Sequence, residues 1–139
     1  MLRRAAWGDQ FYPSHPVLLE QELEKYLNTE SGQKISAPIA CVAPHAAYMY
    51  SGAIAGAVYA RMEMPRRFIV LCPNHTGRGA PLSIMAEGKW QTPLGDVPID
   101  AELARVLMRK CHLLFEDAQA HLQEHSLEEI GRASCRERV

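Results

Sequence analysis

Two short apolar runs constrain the fold of this chain more than any other feature. Ile39-Ala40-Cys41-Val42-Ala43 stops at Pro44, and Phe68-Ile69-Val70-Leu71-Cys72 stops at Pro73. Continuous apolar runs of this length, closed by a residue that cannot donate to a ladder, read as strands buried on both faces. Between them Ser51 is placed to cap a helix from Gly52 to about Met62, rich enough in Ala and Gly to lie close against a sheet. Strand, helix, strand in that order predicts two parallel strands joined by a right-handed crossover. The expected fold class is therefore α/β, a mostly parallel sheet with helices on both faces.

The rest of the chain supports that reading. Pro16 suits a first helical turn, and Leu19, Leu23, Tyr26 and Leu27 recur at helical spacing among charged residues. Asn28 to Lys34 reads as a polar loop. Leu82 to Ala86 is a third candidate strand, and Trp90 to Ile99 reads as two short strands about Pro93-Leu94-Gly95-Asp96. Asp100 should cap a further helix with Leu103, Val106 and Leu107 facing inward, while Ala118 to Leu127 fits either helix or loop. The 139 residues, 47% of them hydrophobic, suffice for one core. A net charge of −1 without a basic stripe argues against nucleic acid as partner. No run reaches the roughly 20 apolar residues of a membrane span, and the start lacks a secretory signal, so the cytoplasm is the expected location. Cys41, Cys72, Cys111 and Cys135 form no CxxC pair. Cys41 is expected to be a small buried hydrophobe and Cys72 to pack beneath its loop.

The chemistry-bearing residues follow the two runs. Pro44-His45-Ala46-Ala47-Tyr48-Met49-Tyr50-Ser51-Gly52 and Pro73-Asn74-His75-Thr76-Gly77-Arg78-Gly79 each leave the carboxyl end of a predicted strand. That is the edge of an open α/β sheet where ligands bind. His45 and His75 would emerge side by side, able to converge on one metal ion or one substrate group. Imidazole suits Zn, Cu and Fe alike, so the residues do not name the metal. A lone loop histidine is commonly just a surface residue; two in equivalent positions are harder to dismiss. His121 to His125 matches H-x-x-E-H, which on a helix would hold zinc with Glu124 as general base, a peptidase reading. A polar segment of mutually bonded His and Glu is the plainer alternative. Thr76 to Gly79 could cradle an anion with Arg78, or be simply a glycine-rich turn.

With these motifs in hand, the chain resembles the Memo family, whose bacterial branch is also called AmmeMemoRadiSam system protein B. The resemblance is carried in order by Phe11-Tyr12-Pro13, Ala43 to Gly52, Pro73-Asn74-His75-Thr76-Gly77, Gln91-Thr92-Pro93-Leu94-Gly95-Asp96 and Glu124-His125-Ser126-Leu127-Glu128. It implies a fold similar to the LigB-type extradiol dioxygenases. It also implies His45 and His75 as metal ligands, iron or copper with zinc a further option, and His125 as a catalytic acid or base or a supporting group. In studied eukaryotic relatives a downstream cysteine completes the site, and that third ligand has no counterpart here. Redox chemistry has been proposed for those relatives, and phosphotyrosine peptide binding described. The resemblance carries no reaction. An extradiol-dioxygenase-like metalloenzyme, or a vestigial cleft binding a peptide or anion, are the alternatives it leaves, with a small molecule or peptide as ligand and the oligomeric state undetermined.

Two departures stand out. Ala47 replaces the family's usual glycine, which would strain the loop if that position needs positive φ. From Glu129 the chain becomes polar and basic where the family continues apolar. Residues 1–128 are therefore read as the amino-terminal part of one Memo-like domain, and 129–139 as a non-native tail. On that reading later strands are missing, leaving a sheet edge and an apolar face uncovered.

Overall fold

A computed structural model describes residues 1–28 and 34–133. The architecture is mixed α/β. Leu2–Arg3 (β1) pairs in parallel with Lys89–Thr92 (β3), which pairs antiparallel with Gly95–Pro98 (β4). Ser83–Ile84 (β2) pairs in parallel with Phe115–Glu116 (β5). The helices are Pro16–Leu27 (α1), Tyr48–Ala60 (α2), Ala101–Lys110 (α3) and Ser126–Ala133 (α4).

Local chemistry explains most of these elements. Pro16 opens α1, and Leu19, Leu23 and Tyr26 form its buried stripe. The Asp100 side chain accepts from Leu103 N and caps α3, whose Arg109 and Lys110 favourably face the negative end of its dipole. The hairpin β3–β4 turns at Pro93-Leu94, with Gly95 at φ +124. α2 begins one turn earlier than the sequence suggests. Ser51 lies inside it, its Oγ donating to Ala46 O at 2.7 Å, and Ala47 occupies the cap position.

The core cluster joins Tyr12, Leu19, Leu23, Tyr26 and Tyr48, with Trp7, Phe11, Leu27 and Leu94 packed on it. α1 and α2 approach closely because Gly52 and Gly56 leave room for Tyr26. A Cβ on Gly52 would sit 2.5 Å from the Tyr26 ring, and one on Gly56 2.5 Å from the Tyr26 carbonyl oxygen.

Two expectations are corrected. Residues 39–43 and 69–72 run without regular pairing among the described residues, so the predicted buried βαβ ladder is not formed. Their side chains face outward instead, Ile39 at 104%, Val42 at 92% and Leu71 at 85% relative exposure, because no strand among the described residues pairs with these runs. Cys41 is likewise exposed, while Cys72 is half-buried as expected. α4 runs from Ser126 to Ala133; residues 134–139, including Cys135, lie outside the described residues. No helix among the described residues is long and apolar enough to cross a membrane.

Candidate metal centre

Although the two apolar runs are not laddered, they deliver their histidines to one place. The rings of His45 and His75 have centroids 5.2 Å apart. His125 joins them, stacked on His75 at 4.5 Å and 21° and 5.9 Å from His45. Two imidazoles bound through nitrogen to one ion at ~2.0–2.1 Å would place their centroids about 5 Å apart. The His45–His75 pair fits that spacing. His125 lies too nearly parallel to His75 for both rings to aim at one point as they stand.

Each loop is held by its own chemistry. Ala47 has φ −51, an ordinary value, so the loss of the family glycine does not strain the loop beside His45. Tyr48 N donates to Phe11 O at 2.9 Å and fixes the start of α2 against the amino-terminal segment. In the His75 loop, Asn74 Oδ1 accepts from Thr76 Oγ1 and Gly77 N, and Asn74 Nδ2 donates to Arg78 O. Arg78 N donates to Thr76 Oγ1, and Ala80 N to Asp117 Oδ2. Gly79, at φ +75, sits where a Cβ would strike that same carboxylate. Two of the backbone donors considered for an anion cradle, Gly77 N and Arg78 N, are thus engaged within the protein.

Glu124 organises the centre. Its buried carboxylate accepts from His75 N at 2.7 Å, His75 Nδ1 at 2.9 Å, Ser126 N at 3.0 Å and Ser126 Oγ at 2.9 Å. Burial alone would raise this carboxyl, but the bonds from Ser126 and His75 outweigh it and hold it down at about 2. It is therefore an ionised acceptor, so His75 Nδ1 carries the proton and Nε2 presents the lone pair. Glu124, His75 and His125 offer atoms within 4.8 Å of one another, as a metal cluster would. Three of these four hydrogen bonds fall on Oε1 and one on Oε2, so Oε2 keeps acceptor capacity. Glu124 fixes the His75 ring through Oε1, an arrangement like the carboxylate–histidine pairs behind metal sites, and its Oε2 remains a candidate donor beside His75 and His125.

Glu129 repeats the arrangement, its Oε1 2.9 Å from His125 Nδ1. Phe11 stacks on the other face of His125 at 4.7 Å, and Trp7 meets its edge at 6.0 Å. Burial is the main cause lowering the His125 pKa, reinforced by the neighbouring His75 and His45 and opposed by the nearby carboxylates. The neutral ring, a proton acceptor, is favoured.

The H-x-x-E-H geometry is not formed. Ala118–Ala120 is a single 3₁₀ turn and α4 starts only at Ser126, so His121 and His125 share no helix face. His121 turns instead toward the Trp90 ring, centroids 6.0 Å apart, and burial lowers its pKa. What holds this segment is Arg3, fully buried. It donates to His121 O at 3.1 Å and Glu124 O at 2.8 Å, pairs with Glu128 and lies 4.5 Å over Trp90. Glu128 also accepts from Tyr12 Oη, Ala6 N and Trp7 N. Sequence reasoning missed these supporting roles. The Glu-His-Ser-Leu-Glu and Phe-Tyr-Pro motifs held the signal, but not which of their residues face each other.

Comparison with known proteins settles the family. A family model described as Memo-like protein matches residues 3–129. The chain belongs to the Memo family. Among curated Memo relatives, a MEMO1 family protein of Methanothermobacter thermautotrophicus is 38% identical over 92% of this chain and 50% of its own length. One from Methanopyrus kandleri is 40% identical over 92% and 49%, and one from Pyrococcus abyssi 41% identical over 92% and 45%. This chain thus spans about half the length of the Memo relatives it matches.

Proposed function

We propose that this Memo-family chain carries a metal centre in which His45 and His75 are ligands and His125 is the group that moves a proton beside them. The single observation that carries the reading is the convergence of the His45 and His75 rings at 5.2 Å, with Glu124 fixing the tautomer of His75. An all-imidazole donor set fits copper, iron or zinc. A bound ion of this kind supplies Lewis acidity, or redox chemistry if it is copper or iron. The protein's own part is to hold His75 Nε2 outward, to keep His125 neutral between Phe11 and His75, and to leave the open side of His75 accessible. The neutral His125 ring can then take a proton from a group placed against Nε2.

Dioxygenase-like chemistry is less well supported, since it requires a carboxylate ligand and Glu124, with Oε1 held by His75 and Ser126, offers only Oε2. Peptide or anion capture has only the exposed Arg78 in its favour. The test is metal content after reconstitution with Fe(II), Cu(II) or Zn(II). His45→Ala/His75→Ala should bind none of the ions that the native chain retains. His125→Ala should retain the ion and lose any proton-transfer activity. Equal metal content in the double variant and the native chain would sink the proposal.

A further inference from the structure

A serine at the start of a helix ordinarily turns its hydroxyl onto the first N–H groups of that helix. Ser126 opens α4 but directs its hydroxyl backwards. Its Oγ donates to Glu124 Oε1 at 2.9 Å, and Pro73 O lies at 3.4 Å as a second acceptor. One proton cannot serve both equally. The carboxylate is nearer and charged, and a charge-assisted bond is roughly twice as strong as a neutral one, so Glu124 takes the proton. Ser126 N adds a second bond to the same oxygen at 3.0 Å. The side chain is fully buried, so the hydroxyl has no solvent to turn to. Burial raises the neighbouring Cys72 thiol, which stays protonated and can donate to the Ser126 hydroxyl. The hydroxyl's own proton is thereby left for Glu124.

We propose that Ser126 is a positioning residue for His75: its hydroxyl fixes the Glu124 carboxylate, so that His75 keeps its proton on Nδ1 and its lone pair on Nε2. The need for such a device lies in the glutamate itself. The last torsion of a Glu side chain is broad, so a carboxylate does not set its own plane. His75 N anchors Oε2 at 2.7 Å, and the two Ser126 donors anchor Oε1, the oxygen that faces His75 Nδ1 at 2.9 Å. With both oxygens held, the acceptor stays in line with Nδ1–H. Ser126 also stands against Pro73, which leads into the loop that carries His75. It therefore touches both the carboxylate behind the ring and the segment that delivers the ring. The effect on metal affinity rests on the metal centre proposed above; the effect on the tautomer does not.

The experiment uses the full chain without metal at about pH 8, where neutral imidazole prevails. Long-range proton–nitrogen NMR spectra report which nitrogen of His75 bears the proton, and His75→Gln assigns the signal. The native chain should show the Nδ1–H form alone. Ser126→Ala should bring in the Nε2–H form to a comparable share. Ser126→Cys is close to serine in size but a weak donor, and should do the same. Zn(II) affinity of both variants should fall about tenfold, the low end of the range for supporting groups. Two results would overturn the proposal. One is the native tautomer in both variants. The other is a shift in Ser126→Ala that Ser126→Cys reverses, since filling the space would then suffice. A native chain that takes up no metal, with variants that still shift the tautomer, would sink the metal centre and uphold the role of Ser126. A chain that binds metal while its variants keep the native tautomer would sink the role of Ser126 alone.

Discussion

The carboxylates behind the imidazoles decide how this centre can work. An imidazole free to flip presents either nitrogen, whereas His75 backed by an ionised Glu124 presents only Nε2. Glu124→Gln keeps the shape of the side chain and a carbonyl acceptor, but removes the charge that favours a protonated Nδ1. Metal affinity should drop about 10–100-fold, as it does when such supporting groups are lost elsewhere. Far-UV circular dichroism should stay unchanged. Isothermal titration with Co(II) or Zn(II) measures the drop, and unaltered affinity would show that Glu124 serves only the fold. Glu129→Gln should have a smaller effect on affinity and a larger one on the protonation of His125, visible in the NMR titration of its ring. His45, His75 and His125 could be picked from the sequence because motif and position mark them. The two carboxylates could not. One looked like the general base of a zinc motif, and the other stood one residue past the last recognisable motif. Their roles rest on which histidine each faces, and only the three-dimensional fold fixes that.

At the level of elements, the same distinction separates what was legible from what was not. α1, α3 and the β3–β4 hairpin are specified locally, by a proline start, an Asp100 cap, an apolar stripe and a turn, and they stand where the sequence puts them. The runs 39–43 and 68–72 are strands only if neighbours pair with them. Pairing is a non-local property, so the pattern correctly marks apolar segments that lead to the histidines and wrongly infers a finished ladder. The start of α2 was misjudged because Ser51 also serves as a donor within a helix, a role that residue type alone does not separate from capping. The α1–α2 contact offers a sharper test of element packing. A methyl on Gly56 would meet the backbone oxygen of Tyr26, which cannot swing aside, whereas one on Gly52 would meet a ring that can shift. Gly56→Ala should destabilise the chain by about 1–3 kcal/mol, and Gly52→Ala by less. Thermal unfolding of the two variants in parallel would check the order, and a reversal would mean that the helices separate more readily than their close approach implies.

Across the whole molecule, the amino-terminal segment and the Glu124–Glu128 segment are separated by more than a hundred residues and joined by one buried ionic hub. Arg3 reaches two carbonyls and Glu128, while Glu128 gathers the Tyr12 hydroxyl and two backbone N–H groups. The hub holds His125 and Glu124 beside His45 and His75 at the candidate site, so its protonation should couple fold and site. Burial would raise the Glu128 carboxyl, but bonds from Tyr12, Ala6 and Arg3 prevail and hold it below its ordinary value of 4.5. A carboxyl depressed in the folded state binds fewer protons there than in the unfolded chain. Its contribution is therefore complete above the unfolded value and fades as pH falls through the folded one. Glu124, held at about 2, acts in the same direction. Stability should thus be flat near neutrality and decline below about pH 4.5. Glu128→Gln should cost about 3–5 kcal/mol at pH 7, because it strands the buried Arg3 charge. Its deficit relative to the native chain should shrink as pH drops toward 2, since the native carboxylate is then being neutralised as well. Urea unfolding of both proteins between pH 7 and pH 2 measures that convergence. A deficit that stayed constant across the range would mean that Glu128 contributes by shape and hydrogen bonding alone, and that its charge does not tie the two ends of the chain together.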